Sequence, residues 1–158
     1  MIIRRATRKD YPKILEIEYS SFTTDFITED QLKVSTETYV LEVDGEVVAY
    51  ALWYFNYDNI SGNCYLYSLA VNKYNRRKGY SRLLLDKFIS TESSTHSLHV
   101  SSDNQSAISL YESCGFTIVE TVDNFYEDGR SALYMLKEHE DQDKPLLRET
   151  RRVRPSAG

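Results

Sequence analysis

Apolar positions recur along the chain with two periods, and the order in which these alternate lays out a mixed α/β element plan. Over 11–21, Tyr11, Ile14, Leu15 and Ile17 fall at helical spacing. Thr7-Arg8-Lys9-Asp10 ahead of them has the form of a capping box, and Pro12 sits in the opening turn, where its missing N–H is tolerated. A second box, Thr28-Glu29-Asp30-Gln31, opens a short helix to about Ser35. Helical spacing returns over 79–91 with Leu83, Leu84, Leu85 and Phe88, and over 104–114 with Ile108, Leu110 and Tyr111; Gly115 then suits a left-handed C-cap. The remaining apolar stretches, 1–5, 38–43, 46–57, 64–72, 96–101, 116–122 and 131–137, read as strands. Asp44-Gly45 is a hairpin turn, and 58–63 and 127–130 are further turns. The predicted order is β-α-α-β-β-β-α-β-α-β-β, with a right-handed crossover joining the strands at 64–72 and 96–101.

A chain of 158 residues that is 41% hydrophobic can bury one core. We assign that single domain to 1–138. Periodicity stops at His139, and the arginine-rich end, with Pro155 among small residues, predicts a disordered charged tail over 139–158. A net charge of -5 argues against general nucleic-acid binding. No apolar run has membrane-spanning length, and Met1-Ile2-Ile3-Arg4-Arg5 is charged too early for a leader. Two cysteines, Cys64 and Cys114, lack metal-like spacing and fit reduced thiols in a cytoplasmic protein. Thirteen tyrosines fit either an aromatic substrate groove or the filling of amphipathic strands.

Against the acidic background one loop stands out: Arg76-Arg77-Lys78-Gly79-Tyr80-Ser81, between a strand and a helix. Unpaired N–H groups and the positive end of the helix dipole make such a loop a phosphate site, with a merely solvated basic loop as the alternative. Arg76, Gly79 and Ser81 match R-x-x-G-x-G/A, and the stretch resembles the acyl-CoA-binding core of the GNAT acetyltransferases. The element order resembles that family too, over 1–138. The resemblance implies an α/β fold with a mixed central sheet flanked by helices. It implies acetyl-CoA as cofactor, with Arg76, Arg77, Lys78, Gly79, Tyr80 and Ser81 on the pyrophosphate, chiefly through backbone N–H groups. It also implies that the main chain of Leu69, Ala70 and Val71 pairs with pantetheine, while the side chains of Leu69 and Val71 belong to the core.

Asn104, Ala107, Tyr111, Gly115 and Phe116 match the GNAT stretch N-x-x-A-x-x-x-Y-x-x-x-G-F. By that resemblance Asn104 contacts the cofactor arm or a water, and Tyr111 lies by the sulfur and protonates the departing thiolate; a phenol of pKa ~10 is suited to this. A helix-capping Asn and a core Tyr are the plain alternative. Leu98-His99-Val100 with Asn104 resembles L-H-V-x-x-x-N of protein N-terminal acetyltransferases, in which the His and a Tyr early on the feeding strand, here Tyr65, remove the amine proton through water. Bacterial ribosomal-protein alanine acetyltransferases are similar, with Glu in the His99 position. Strand alternation turns His99 away from the face of Leu98 and Val100, and puts Tyr65 in phase with Leu69 and Val71. Residues 124–132 resemble the hairpin N-Y-Y-x-D-G-E-D-A, which implies that Tyr126 holds the substrate backbone, with Phe22 as the opposite wall; Arg130-Ser131 replaces the acidic pair. Cys114, beside a helix C-terminus, reads as a packing residue rather than an acyl carrier.

The implied activity is transfer of acetyl to a primary amine by direct attack in a ternary complex. The favoured acceptor is a protein or peptide N-terminus. A small amine (polyamine, amino acid or aminoglycoside) and a non-catalytic acyl-CoA-binding module are the alternatives. At pH ~7.4 roughly a quarter of α-amines are neutral, against about one in a thousand lysine amines. Glu16, Glu18, Asp25 and Glu29 read as a solvated acidic face near the mouth. Both a monomer and a homodimer are compatible with the family.

Overall fold

The structure, a computed structural model, describes residues 1–34, 37–57 and 60–139. The elements are β1 (Ile2–Arg5), α1 (Tyr11–Ser21), α2 (Glu29–Val34), β2 (Glu37–Val43), β3 (Glu46–Phe55), β4 (Asn63–Val71), α3 (Tyr80–Ile89), β5 (Thr95–Ser101), α4 (Gln105–Ser113), β6 (Thr117–Val122) and β7 (Ala132–Glu138), with short 3₁₀ turns before α1 and α3. The expected order holds, and both capping boxes form. Thr7 N–H donates to Asp10 Oδ2 at 2.7 Å; Thr28 N–H donates to Gln31 Oε1 at 2.8 Å, and Gln31 N–H to Thr28 Oγ1 at 3.2 Å. Ser35 and Asp58, expected in a helix end and a turn, lie outside the described residues, as do 140–158 of the expected tail.

One seven-stranded sheet has the order β1-β2-β3-β4-β5-β7-β6. Only β4 and β5 pair in parallel, as the crossover through α3 requires. One face buries Leu84, Leu85 and Phe88 of α3 and Ile108 and Tyr111 of α4 against Trp53, Leu66 and Leu98. The other buries Ile14 and Ile17 of α1 and Leu32 of α2 against Val40, Tyr50 and Leu52. Each such side chain contributes about 1.5–3 kcal/mol, which is why the helices lie where their apolar stripes dictate.

Two irregularities shape the centre. Pairing of β4 with β5 runs from Asn63–Thr95 to Leu66–Leu98 and stops, although both strands continue. The strands therefore splay. At the same level the β3–β4 register jumps from Leu52–Ser68 to Trp53–Leu66, leaving Tyr67 as the extra residue of a β-bulge. A bulge bends its strand and reverses the alternation beyond it. Tyr65 therefore does not share a face with Leu69 and Val71, contrary to simple alternation. Leu66, Leu69 and Val71 lie on the α3 side, whereas Tyr65 packs against Tyr57 and Tyr67 on the α1 side.

At the far end of β5, His96 is fully buried. Its Nδ1 meets His139 Nε2 at 2.7 Å, and its Nε2 meets Thr91 Oγ1 at 2.8 Å. His139, expected to begin the tail, is thus folded against the domain. Burial, then the neighbouring His139 and Lys137, push the His96 imidazole down to about 4; burial also lowers His139. A folded-state value below the unfolded one of about 6.5 means that the unfolded chain takes up the proton first. The stability is present above pH ~6.5 and is lost as pH falls toward about 4, by up to ~3 kcal/mol. Thermal melts over that window are expected to fall steeply for the wild type and less steeply for His96→Gln; equal slopes would remove His96 as the cause.

Candidate active site

The splay of β4 from β5 opens a cleft of about 1070 Å³, walled by the α1–α2 loop, the start of α3, the start of α4 and the β6–β7 hairpin. Among the expected site residues, Phe22, 69–71, Arg76, Arg77, 79–81, His99, Asn104, Tyr111 and Tyr126 line it. Tyr65 stands behind His99, and Lys78 is exposed outside the lining.

At one end the main chain is arranged for an anion. Gly79 is the N-cap of α3 with φ 79°, and no side chain caps the helix. Arg77 also adopts a positive φ, 64°. A Cβ on Gly79 would meet nothing within 4 Å, so what restricts this position is its backbone conformation, and the space in front of it is open. The opening N–H groups of α3 thus face the cleft without a side-chain cap among the described residues, beside exposed Arg77 and Lys78, and this donor set fits a diphosphate. The Arg76 side chain turns elsewhere. Its Nε donates to the Val71 carbonyl and a terminal nitrogen to Ser21 Oγ, both at 3.1 Å, bracing the loop against β4 and α1. Beyond Leu66 and Leu98, the main chain of 69–71 pairs only with β3, which leaves an edge toward the cleft.

Asn104 is the N-cap of α4, its Oδ1 accepting from Ala107 N–H at 3.2 Å, so the capping alternative is met while the residue still borders the cleft. Tyr111 on α4 is 8% exposed. Burial, with a smaller contribution from the Tyr126 phenol, pushes its hydroxyl well above the ordinary phenol range. It is therefore a protonated donor throughout the neutral range. Cys114 is a half-buried residue at the end of α4, packed on the core.

At the other end the bulge brings Tyr65 to His99. The Tyr65 hydroxyl and His99 Nδ1 are 2.6 Å apart. The imidazole stacks on Phe125 at 4.3 Å and 16°, and Tyr134 lies 4.9 Å away. Tyr57 stacks on Tyr65 at 4.7 Å. Sequence reasoning missed Phe125 as the ring that clamps His99, having assigned only the next aromatic. Tyr126 is pushed up to about 12, mainly by burial, against the opposing Arg130 guanidinium 5.0 Å from its ring centre. Across the mouth, Thr24 Oγ1 donates to Glu127 Oε2 at 3.3 Å, and Glu127 N–H donates to the Asp25 carboxylate at 3.1 Å. Phe22 lies on that loop and is 38% exposed. Glu18 was read with the solvated acidic residues; it is buried in the cleft wall instead. The helical spacing from Ile14 to Glu18 is the signal that could have found it. Glu16, Asp25 and Glu29 are exposed as expected.

This geometry can hold a phosphorylated ligand along β4, offer a neutral phenol donor midway, and present a Tyr–His pair to a group entering from the opposite rim. Comparison with known proteins identifies the family. The family model described as "Acetyltransferase (GNAT) family" matches residues 2–116. An uncharacterized N-acetyltransferase of Methanocaldococcus jannaschii is 31% identical over 156 residues, covering 93% of this chain and 97% of the relative. An N-alpha-acetyltransferase of Sulfurisphaera tokodaii is 28% identical over 150 residues, covering 84% and 90%. The crystal structure of Ard1 from Thermoplasma volcanium superposes with a TM-score of 0.79 at 26% identity, covering 89% of this chain and 98% of that one. The chain belongs to the GNAT family: it is an N-acetyltransferase, with acetyl-CoA as its acetyl donor.

Proposed function

We propose that the acceptor is the α-amine of a protein or peptide N-terminus, acetylated by direct attack in a ternary complex. The observation that carries this reading is the Tyr65–His99 hydrogen bond at the rim opposite the α3 loop, framed by Phe125, Tyr126 and Phe22. The names of two relatives, an N-alpha-acetyltransferase and an Ard1, support it. An α-amine needs only a weak base to be neutral at physiological pH, and an imidazole relayed through water is one.

Acetyl-CoA supplies an acyl group activated as a thioester. The N–H groups of 79–81 hold its diphosphate, assisted by Arg77 and Lys78, while the main chain of Leu69, Ala70 and Val71 orients the arm and polarises the carbonyl. Arg76 keeps that loop in register with Val71, and Asn104 borders the arm. His99, hydrogen-bonded through Nδ1 to the Tyr65 hydroxyl, takes the amine proton through water. Tyr111 donates toward the departing sulfur. Tyr126 and Phe22 flank the first residues of the acceptor.

A peptide library varied at its first two residues, assayed with polyamines, free amino acids and an aminoglycoside as controls, tests the acceptor class. Peptides are expected to be acetylated on the α-amine, at least about tenfold more efficiently than any small amine, in line with the neutral-amine fractions. Turnover of small amines with silent peptides would overturn the proposal.

A further inference from the structure

Glu18 is a carboxyl group held out of water. It is 2% exposed, it faces the cleft from α1, and it makes no ion pair with a described Lys, Arg or His. A carboxylate out of water is tolerated only when hydrogen bonds replace its hydration. Three donors do so here. Oε2 accepts from Ile27 N–H at 2.8 Å; Oε1 accepts from Ser68 Oγ at 3.1 Å and from the Tyr50 hydroxyl. The Tyr50 and Ser68 oxygens themselves lie 2.8 Å apart. Burial first, then the Glu18 charge, raise the Tyr50 phenol well above its usual range, so it remains the donor.

The places of these donors matter. Ile27 is where the α1–α2 loop re-enters the core, 1% exposed. Glu18 lies in the last turn of α1, where that loop departs. Ser68 belongs to the length of β4 beyond its last pair with β5. One side chain therefore ties the departure and the return of the loop to the strand that flanks the acyl donor. The loop's outer edge is tied separately, by Thr24 and Asp25 to Glu127 on the β6–β7 hairpin. The stretch between Ser21 and Ile27, which carries Phe22, is held from both sides.

We propose that Glu18 is a positioning residue for the acceptor: its hydrogen bonds to Ile27 N–H and Ser68 hold the α1–α2 loop as a fixed wall against β4, setting the distance between the amine and the acyl donor. This rests on the reading that the acceptor enters beside Phe22. It predicts that hydrogen bonding, and not the charge, is what counts. In Glu18→Gln the amide oxygen can accept from Ile27 N–H while the amide nitrogen donates to the Tyr50 and Ser68 oxygens, so the anchor survives without the charge. In Glu18→Leu the Ile27 N–H loses its acceptor, and Tyr50 and Ser68 keep only each other.

The test measures KM for acetyl-CoA and for whichever amine the wild type turns over, so a wrong acceptor class leaves it intact. Glu18→Leu is expected to raise the acceptor KM about tenfold or more, with the acetyl-CoA KM within about twofold and Glu18→Gln within about threefold of wild type. Should Glu18→Leu not fold, Ser68→Ala, which removes one donor to the Glu18 carboxyl group, is expected to raise the acceptor KM several-fold, again alone. An unchanged acceptor KM in the folded variant overturns the role of Glu18. So does a Glu18→Gln enzyme as impaired as Glu18→Leu, which would make the charge the active feature. A rise confined to the acetyl-CoA KM overturns the placement of the acceptor itself.

Discussion

Tyr111→Phe is expected to bind coenzyme A with the wild-type affinity, within about twofold, and to turn over at least about a hundredfold more slowly, the scale of a lost proton donor. The ring is buried and packs edge-on to Phe116 at 6.1 Å, so Phe keeps the shape and removes only the hydroxyl. Because burial raises this phenol, it is a weaker acid than a free tyrosine, and the proposed role is to donate a hydrogen bond to sulfur as negative charge develops there. The deficit should therefore be in kcat, and should be constant across the neutral pH range, since the hydroxyl does not ionise there. Calorimetry with coenzyme A and steady-state turnover separate the two effects. Turnover equal to wild type would remove Tyr111 from the chemistry and leave it a core residue.

The second large effect is expected at His99. His99→Ala should lower kcat/KM for a peptide about a hundredfold near pH 7 and recover a factor of about eight of that by pH ~9, the rise in the neutral fraction of an α-amine of pKa about 7.9. The variant also removes the ring between Phe125 and Tyr134, so a melting temperature belongs beside the kinetics. Loss of packing alone would lower the rate by a similar factor at every pH. A profile parallel to wild type therefore counts against His99 as base, and convergence at high pH supports it. Tyr65, which is hydrogen-bonded to His99 Nδ1, should show the same trend with a smaller amplitude when replaced by Phe.

Much of this was readable from residue order. Thr7 to Asp10 and Thr28 to Gln31 are self-contained hydrogen-bonding units whose spacing alone implies a helix start, and both form. Asp44-Gly45 takes positive φ at both positions, 51° and 81°, as a tight hairpin turn needs. Gly79 was legible for a similar reason: a left-handed N-cap before an apolar helix, in a basic loop, is a local property. Tyr65 was expected on the wrong face. Strict alternation pairs it with Leu69, and only the extra residue at Tyr67 turns it toward His99; that bulge depends on how β3 and β4 register, which no window of sequence contains.

What residue order determined by itself is everything carried by short-range spacing: the helices and their caps, the strand sequence, and the basic turn that opens α3 at Gly79. Tertiary structure decided what depends on which strands meet and where they part. The end of β4–β5 pairing at Leu66 and Leu98 makes the cleft; the fold of α1 onto Tyr50 and Ser68 turns Glu18 from an expected surface acid into a buried anchor; and the hairpin's return lays Phe125 on His99. The physical reason is range. A cap or a turn satisfies its own hydrogen bonds within a few residues, whereas the burial and partners of a side chain are set by segments dozens of residues away, whose approach is decided by the packing of the whole sheet.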